Sequence, residues 1–528
     1  SLSDRIMSRF GDTPLGMVES ALEFVRICAR HGYHDIVLSM KASNPKVMIQ
    51  AYRLLAIRMA AEGMNYPLHL GVTEAGFGVE ARVKSAAGIG ALLDDGLGDT
   101  IRVSLAEEPE AELPVARRLA DLYSTKRAAA RLARVAAQPL RPTIEVRDPV
   151  NYRRRRTEGV AIGPVALGGA VPRVVVDVTA APARELASLL AGGRSAPSRP
   201  DLLLVDLTSI QPGSGDDRLR AVRAMVLPGY PVAVVASTRI GAAHGELEGI
   251  NPAAADGLRI VVPTETDDPP ALAAAAAASA SLGLPVWLHA LEPPTPPSDG
   301  RPAWEAAVDA LLAARAAFAA AGRIAALSVS CQDHSSSVRA YRLLAARLAE
   351  ATDATPLVLS CHATWAGEGP DGMPLDAPIA FGSLLADGIG DAIIVESAPD
   401  AQPIDARARA SLSFDCLQAA GARATKVELI ACPSCGRTLF DLQTTATRIQ
   451  KRVAHLVGVK VAVMGCVVNG PGELADADFG YMGGAPGKVS LYVGRECVER
   501  NVPAEEADDR LVALIKAHGR WVEPTGSD

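Results

Sequence analysis

Aromatic residues supply only 4% of this 528-residue sequence, and no run of about twenty uninterrupted apolar residues occurs in it. The second absence argues against a membrane-spanning helix. Positive charge is also in deficit: 53 Lys and Arg against 60 Asp and Glu leave a net charge of −7. A general nucleic-acid binder is therefore not expected, and the run Arg153–Arg156 reads as a solvated linker. Cysteine is sparse, with eight in all and only Cys432 and Cys435 close together. That spacing is too thin for the disulfide framework of a secreted protein. It points to a reducing, cytoplasmic setting in which Cys28, Cys331, Cys361, Cys416 and Cys497 are mostly buried free thiols. The opening Ser-Leu-Ser-Asp lacks the basic and apolar regions of a signal peptide and reads as the interior of a larger protein.

What is present is a long chain with 49% apolar residues, enough for two to four domains. Asp12-Thr13-Pro14 caps a helix that runs to His31-Gly32. A strand is expected over 35–40, a helix over 45–62, a strand over 68–72, a helix over 83–94 and a strand over 100–105. Such alternation builds a parallel sheet, and barrels of this kind keep their chemistry just past the strand ends. Lys41, Glu74, Arg102 and Ser104 stand there. Three strands cannot close a barrel, so residues 1–115 read as the last part of one, with about five earlier strands not represented. Residues 116–171 read as a helix and linker.

Beyond it, eight apolar strands are expected at 173–178, 202–207, 232–235, 258–262, 286–291, 326–329, 357–360 and 392–396, separated mostly by helical stretches. Eight βα units are what a closed (β/α)8 barrel requires, placed here at 172–423. An internal repeat supports the scheme. Ala51-Tyr-Arg-Leu-Leu-Ala56 recurs at 340–345, and Gly90-Ala-Leu-Leu-Asp-Asp-Gly-Leu-Gly-Asp99 recurs in altered form at 382–391. At positions matching Lys41, Glu74, Arg102 and Ser104 the second copy has Ser330, Ala363, Ile394 and Glu396. The first copy is thus expected to be catalytic and the second structural. A small α/β unit closes the chain at 424–528, with Gly480–Gly484 expected as a turn.

That last unit carries Ala431-Cys-Pro-Ser-Cys-Gly-Arg437 and, some thirty residues on, Met464-Gly-Cys-Val-Val-Asn-Gly-Pro-Gly-Glu473. Three cysteines suit one soft metal centre. The Asn469-Gly-Pro-Gly472 turn allows Glu473 to fold back near Cys466 as an oxygen ligand. Spacing alone leaves two sets open: an iron–sulfur cluster on Cys432, Cys435, Cys466 and Glu473, or zinc on Cys432, Cys435, Cys466 and His455 in a non-catalytic two-barrel scaffold. A siroheme-type reductase module would leave Lys41 and Arg102 unexplained.

These two motifs, together with Ser39-Met-Lys-Ala-Ser-Asn44, Leu68-His-Leu-Gly-Val-Thr-Glu-Ala-Gly76 and Asp99-Thr-Ile-Arg-Val-Ser-Leu105, resemble the 4-hydroxy-3-methylbut-2-enyl diphosphate synthase family. Asp476-Ala-Asp-Phe-Gly-Tyr481 and His518-Gly-Arg-Trp521 resemble its long, three-domain, plant-like form, here without the first half of the amino-terminal barrel. The resemblance implies an iron–sulfur oxidoreductase of the non-mevalonate isoprenoid pathway. Such an enzyme opens the ring of 2-C-methyl-D-erythritol 2,4-cyclodiphosphate and removes a hydroxyl. It implies a [4Fe-4S] cluster on Cys432, Cys435, Cys466 and Glu473, and a ferredoxin or flavodoxin as electron donor. It further implies that Lys41, Arg102 and Ser104 hold phosphate, that Glu74 with Thr73 handles protons, and that Asn469 contacts substrate. In the short form of the family one subunit's cluster domain covers its partner's barrel, so a homodimer is a further expectation.

Overall fold

Local rules start the first unit. The Thr13 side chain accepts the Gly16 amide and Pro14 occupies the first turn, opening the helix Pro14–Arg30. Asn44 accepts the amides of Lys46 and Val47 and opens Pro45–Ala61. The computed structural model of the chain describes residues 2–124, 153–191, 199–211, 214–227, 229–240, 250–264, 269–319, 324–365, 370–397, 405–433, 435–468, 470–474 and 477–524. In it these helices back a short parallel array, β1 (His69–Gly71) beside β2 (Thr100–Arg102). The strand expected at 35–40 is reduced to isolated bridges, Leu38 to Leu68 and Ala42 to Val72. Among the described residues it is flanked by a strand on one side only, and its Val37 stands 60% exposed. The helix expected over 83–94 forms as Gly78–Ser85, a π-helical turn at Ala86–Gly90, and Ala91–Asp94.

The 116–171 stretch is less featureless than its composition suggested. A helix covers Glu112–Ser124, and β3 (Val160–Ile162) and β4 (Val165–Leu167) form an antiparallel hairpin turned by Gly163 at φ 54°. Its Ile162, Val165 and Leu167 pack with Val175, Leu202, Trp287 and Ala392, so the hairpin plugs the base of the second barrel.

All eight expected barrel strands form: β5 (Arg173–Asp177), β6 (Leu202–Asp206), β7 (Ala233–Arg239), β8 (Gly257–Val262), β9 (Val286–Leu291), β10 (Ile324–Ser330), β11 (Val358–Ala363) and β12 (Ala392–Ser397). They run parallel in one sheet, ordered β10-β9-β8-β7-β6-β5-β12-β11. The Leu327–Leu357 bridge joins the two ends into a barrel.

The last unit is a five-stranded sheet of β13 (Glu428–Ala431), β14 (Lys460–Met464), β15 (Phe479–Ala485), β16 (Lys488–Val493) and β17 (Glu496–Pro503). Gly480–Gly484, expected as a turn, lies within β15. Its glycines are there because a side chain at Gly480 would strike Leu474 and one at Gly483 the Gly465 carbonyl. β17 was not anticipated; it is an edge strand with mostly exposed polar residues.

The sequence repeat has a structural meaning. Its two copies face each other across the boundary between the barrels. A Cβ on Gly90 would meet Ile379, and one on Gly382 would meet Ala87. Arg53 pairs with Asp95 and Asp387, both at 2.6 Å. Its repeat equivalent Arg342 pairs with the same two carboxylates at 2.9 and 2.8 Å. The four charges form a nearly buried square related by an approximate twofold, in which each charge has two opposite partners.

Candidate active site

The first barrel's strand ends gather a cationic patch. The β1–β2 register sets Gly71 beside Arg102, and a Cβ on Gly71 would lie 3.6 Å from Lys41 Cε. The tighter neighbour of that Cβ is the Arg102 carbonyl oxygen at 3.2 Å, so the glycine eases the close approach of β1 and β2 beside the lysine. Burial and then Arg102 lower the Lys41 pKa, against a weaker pull from Glu74. Below them His69 Nδ1 meets Thr100 Oγ1 at 2.7 Å, and burial, then Lys41 and Arg102, lower the pKa of this imidazole. The Ser104 side chain is buried, and its Oγ has no hydrogen-bond partner among the described residues. A buried orphan hydroxyl, two residues along the chain from Arg102, suits an anionic ligand with oxygen acceptors.

Glu74 leaves β1 with φ 50°, a left-handed conformation uncommon for a side-chain-bearing residue, at an order-of-magnitude cost of ~1 kcal/mol. The kink accompanies a contact between units. Ala75 bridges Ala431 in parallel, so the loop after β1 extends the edge of the last unit's sheet one residue before Cys432. Salt bridges flank this seam. Lys84, buried, lies 3.4 Å from Glu428, and Lys426 reaches Glu80 at 2.9 Å and Asp415 at 2.8 Å. Through the seam Glu74 meets Glu473, and the two carboxyls come within hydrogen-bonding reach of each other. Burial first, and then Glu473, push the Glu74 pKa up to about 7, although Thr73 donates to it. Glu473 is also raised by burial.

The cysteines lie along the same seam. Burial, then Glu473, Glu74 and Cys466, push the Cys432 thiol up to about 11, although its Sγ accepts the Gly465 amide at 3.3 Å. Cys435, exposed, is pulled down by the Arg437 backbone N–H and then its guanidinium. That guanidinium also senses Cys466 and Glu473. Among the described residues no three of His, Cys, Asp or Glu are close enough, as placed, to hold an ion. The donor set nevertheless fits one: Cys432 feels the charges of Glu473 and Cys466, Arg437 is within electrostatic reach of Cys435, Cys466 and Glu473, and three thiols with one carboxylate are donors that a soft metal centre takes. His455 is not part of it. Its ring packs on Trp521 at 4.8 Å between centroids, which takes away the zinc set built on that histidine. Asn469 lies outside the described residues. Of the other five cysteines, Cys331, Cys361 and Cys416 are buried, while Cys28 and Cys497 are only partly so.

The GcpE TIM-barrel domain matches residues 1–117, and the GcpE protein C-terminal domain matches residues 428–517. The 4-hydroxy-3-methylbut-2-en-1-yl diphosphate synthase (flavodoxin) of Leptospira interrogans is 40% identical over 533 residues, spanning 99% of this chain and 74% of its own. The chain belongs to the 4-hydroxy-3-methylbut-2-en-1-yl diphosphate synthase family. The flavodoxin-type synthase of Chlorobaculum tepidum is 39% identical over 99% of this chain and 69% of its own length. The chloroplastic ferredoxin-type synthase of Arabidopsis thaliana is 39% identical over 100% of this chain and 68% of its own.

Membership makes this an oxidoreductase of isoprenoid synthesis, carried on a TIM-barrel unit. No helix among its described residues is long and apolar enough to cross a membrane. For a synthase of this family, two side chains in the site were overlooked in the sequence: His69 and Arg437. Both stand inside motifs quoted above, and each carries a signal, an imidazole two residues before the glycine under Lys41 and a cation two residues after Cys435.

Proposed function

We propose that this chain reductively opens 2-C-methyl-D-erythritol 2,4-cyclodiphosphate and removes one hydroxyl to give 4-hydroxy-3-methylbut-2-enyl diphosphate. Its cofactor is a [4Fe-4S] cluster held by Cys432, Cys435, Cys466 and Glu473, and its electron donor a flavodoxin or ferredoxin. The observation that carries this reading is the Glu74–Glu473 contact, which joins the first barrel's strand end to the cysteine loop. When bound, the cluster supplies single electrons and a Lewis-acidic iron for the departing oxygen.

The chain's own residues do the rest. Arg102 grips a phosphate through a bidentate fork, with Lys41 as a second charge and the Ser104 hydroxyl as a neutral donor. His69 braces Thr100 through its Nδ1 contact. Glu74, protonated near neutral pH, delivers that proton to the leaving hydroxyl so that it departs as water, and Thr73 keeps its carboxyl aimed. Asn469 is assigned a substrate contact by the family resemblance alone. The Ala75–Ala431 seam lowers water access at the point of proton transfer. The seam lies within one chain, which supports a site that needs no partner's barrel.

Anaerobic reconstitution tests the reading. A brown protein with about four irons per chain that converts the cyclodiphosphate with reduced flavodoxin is the expected outcome. A colourless protein with one tightly held zinc and no turnover would overturn it.

A further inference from the structure

The second barrel retains a polar interior above its apolar base, and the repeat allows it to be compared with the first position by position. Asp99 and Asp391 fix the alignment, since each accepts the backbone amide of the neighbouring strand, from Leu68 at 2.7 Å and Leu357 at 2.8 Å. Lys41 then corresponds to Ser330, Gly71 to Ser360, Thr73 to His362 and Ser104 to Glu396. The lysine is lost and glycine becomes serine, while a carboxylate arrives where a hydroxyl stood.

That carboxylate has a complete set of donors. One oxygen of Glu396 accepts from Arg259 at 2.8 Å, and the other accepts from Ser360 Oγ at 2.6 Å and Ser330 Oγ at 3.0 Å. His362 Nε2 stands 2.9 Å from Ser330 Oγ. Arg259 comes from β8 across the lumen, braced by Ser237 at 3.0 Å and lying over the Trp287 ring. The side chains of Arg259 and Glu396 are 7% and 14% exposed. A guanidinium and two hydroxyls converging on two oxygens is how proteins bind a free carboxylate or phosphate oxyanion. Here the oxygens belong to the chain.

We propose that the mouth of the second barrel is an oxyanion site occupied by the protein's own Glu396 carboxylate, and that removing this side chain opens it to a small free anion. The internal carboxylate excludes a second diphosphate, leaving one substrate site per chain. The inference does not depend on the cluster or on the reaction proposed above.

Thermal unfolding of Glu396→Ala in formate, compared with chloride at equal ionic strength, tests it. The variant unfolds several degrees below the parent. Formate restores about half or more of that loss along a saturating curve, as ligand binding to the folded state requires. Glu396→Gln, whose amide still fills the space, and the double variant Glu396→Ala with Arg259→Met respond no more than the parent, whose first-barrel cations all of them share. Should Glu396→Ala fail to accumulate folded, its refolding yield in formate against chloride reads the same property. A formate-dependent yield supports the site. Equal behaviour in formate and chloride, by melting or by refolding, or a response equal to the parent's, overturns it.

Discussion

The two barrel mouths share a backbone plan and differ in how their charges are spent. In the first, Lys41 and Arg102 sit side by side, the Ser104 hydroxyl is buried without a partner among the described residues, and Glu74 is strained, with its pKa pushed up to about 7 by burial. In the second, Arg259, Glu396, Ser330 and Ser360 satisfy one another. The second copy, expected from the sequence to be structural, thus carries its own charged set, in which Arg259 and Glu396 neutralise each other. A site that must bind an anion leaves its donors waiting, whereas a copy relieved of that task satisfies them from within.

The sharpest break between the two mouths is catalytic. Glu74→Gln is expected to lower kcat by roughly 10²- to 10⁴-fold, with iron content unchanged. Glu396→Gln should leave kcat/KM within about twofold, and a steady-state assay of both variants against the cyclodiphosphate measures the contrast. Stability should reverse the ranking. Arg259→Met strands a nearly buried carboxylate and is expected to cost about 3–5 kcal/mol in denaturant unfolding. Arg102→Met, at an exposed position, should cost under about 0.5 kcal/mol while raising KM. The ionic square between the barrels lies between these cases, because Arg342 still holds both aspartates when Arg53 is lost. Arg53→Met should therefore cost about 1–3 kcal/mol.

The mouths should also respond oppositely to pH. The raised Glu74 pKa means its contribution is fully present below 4.5 and is lost as pH rises through about 7. Burial and then Arg259 hold His289 down to about 3, so its contribution is present above 6.5 and is lost as pH falls. It amounts to about 2 kcal/mol between pH 6.5 and 5. Burial would raise Glu396, but Arg259, His289 and His362 outweigh it and hold it low, adding loss on the acid side. Stability measured on the metal-free chain should flatten between pH 4.5 and 7 in Glu74→Gln and between pH 6.5 and 3 in His289→Gln.

The eight strands of the second barrel were legible because each is a short, largely apolar run, most of them separated by helical stretches. Lys41, Glu74 and Arg102 were legible because strand ends are where such barrels place polar groups. The β3–β4 hairpin escaped notice because its strands are three residues each and its turn looks like any linker glycine and proline. Gly480–Gly484 misled because glycines serve close packing as well as turns. Arg259 sits in Leu-Arg-Ile-Val-Val, where an apolar run hides a lumen-facing cation. The Ala75–Ala431 seam has no local signature at all: it depends on where two distant units meet, which pattern and propensity do not encode.

The central claim is that one chain builds the whole site, its own cysteine unit closing on its own first barrel. Mixing two inactive variants, Glu74→Gln and Cys466→Ala, under reconstituting conditions tests this directly. A site assembled within each chain predicts no recovery of turnover at any ratio. Recovery toward about a quarter of the parental rate at an equal mixture, the statistical share of intact sites shared between two chains, would contradict it.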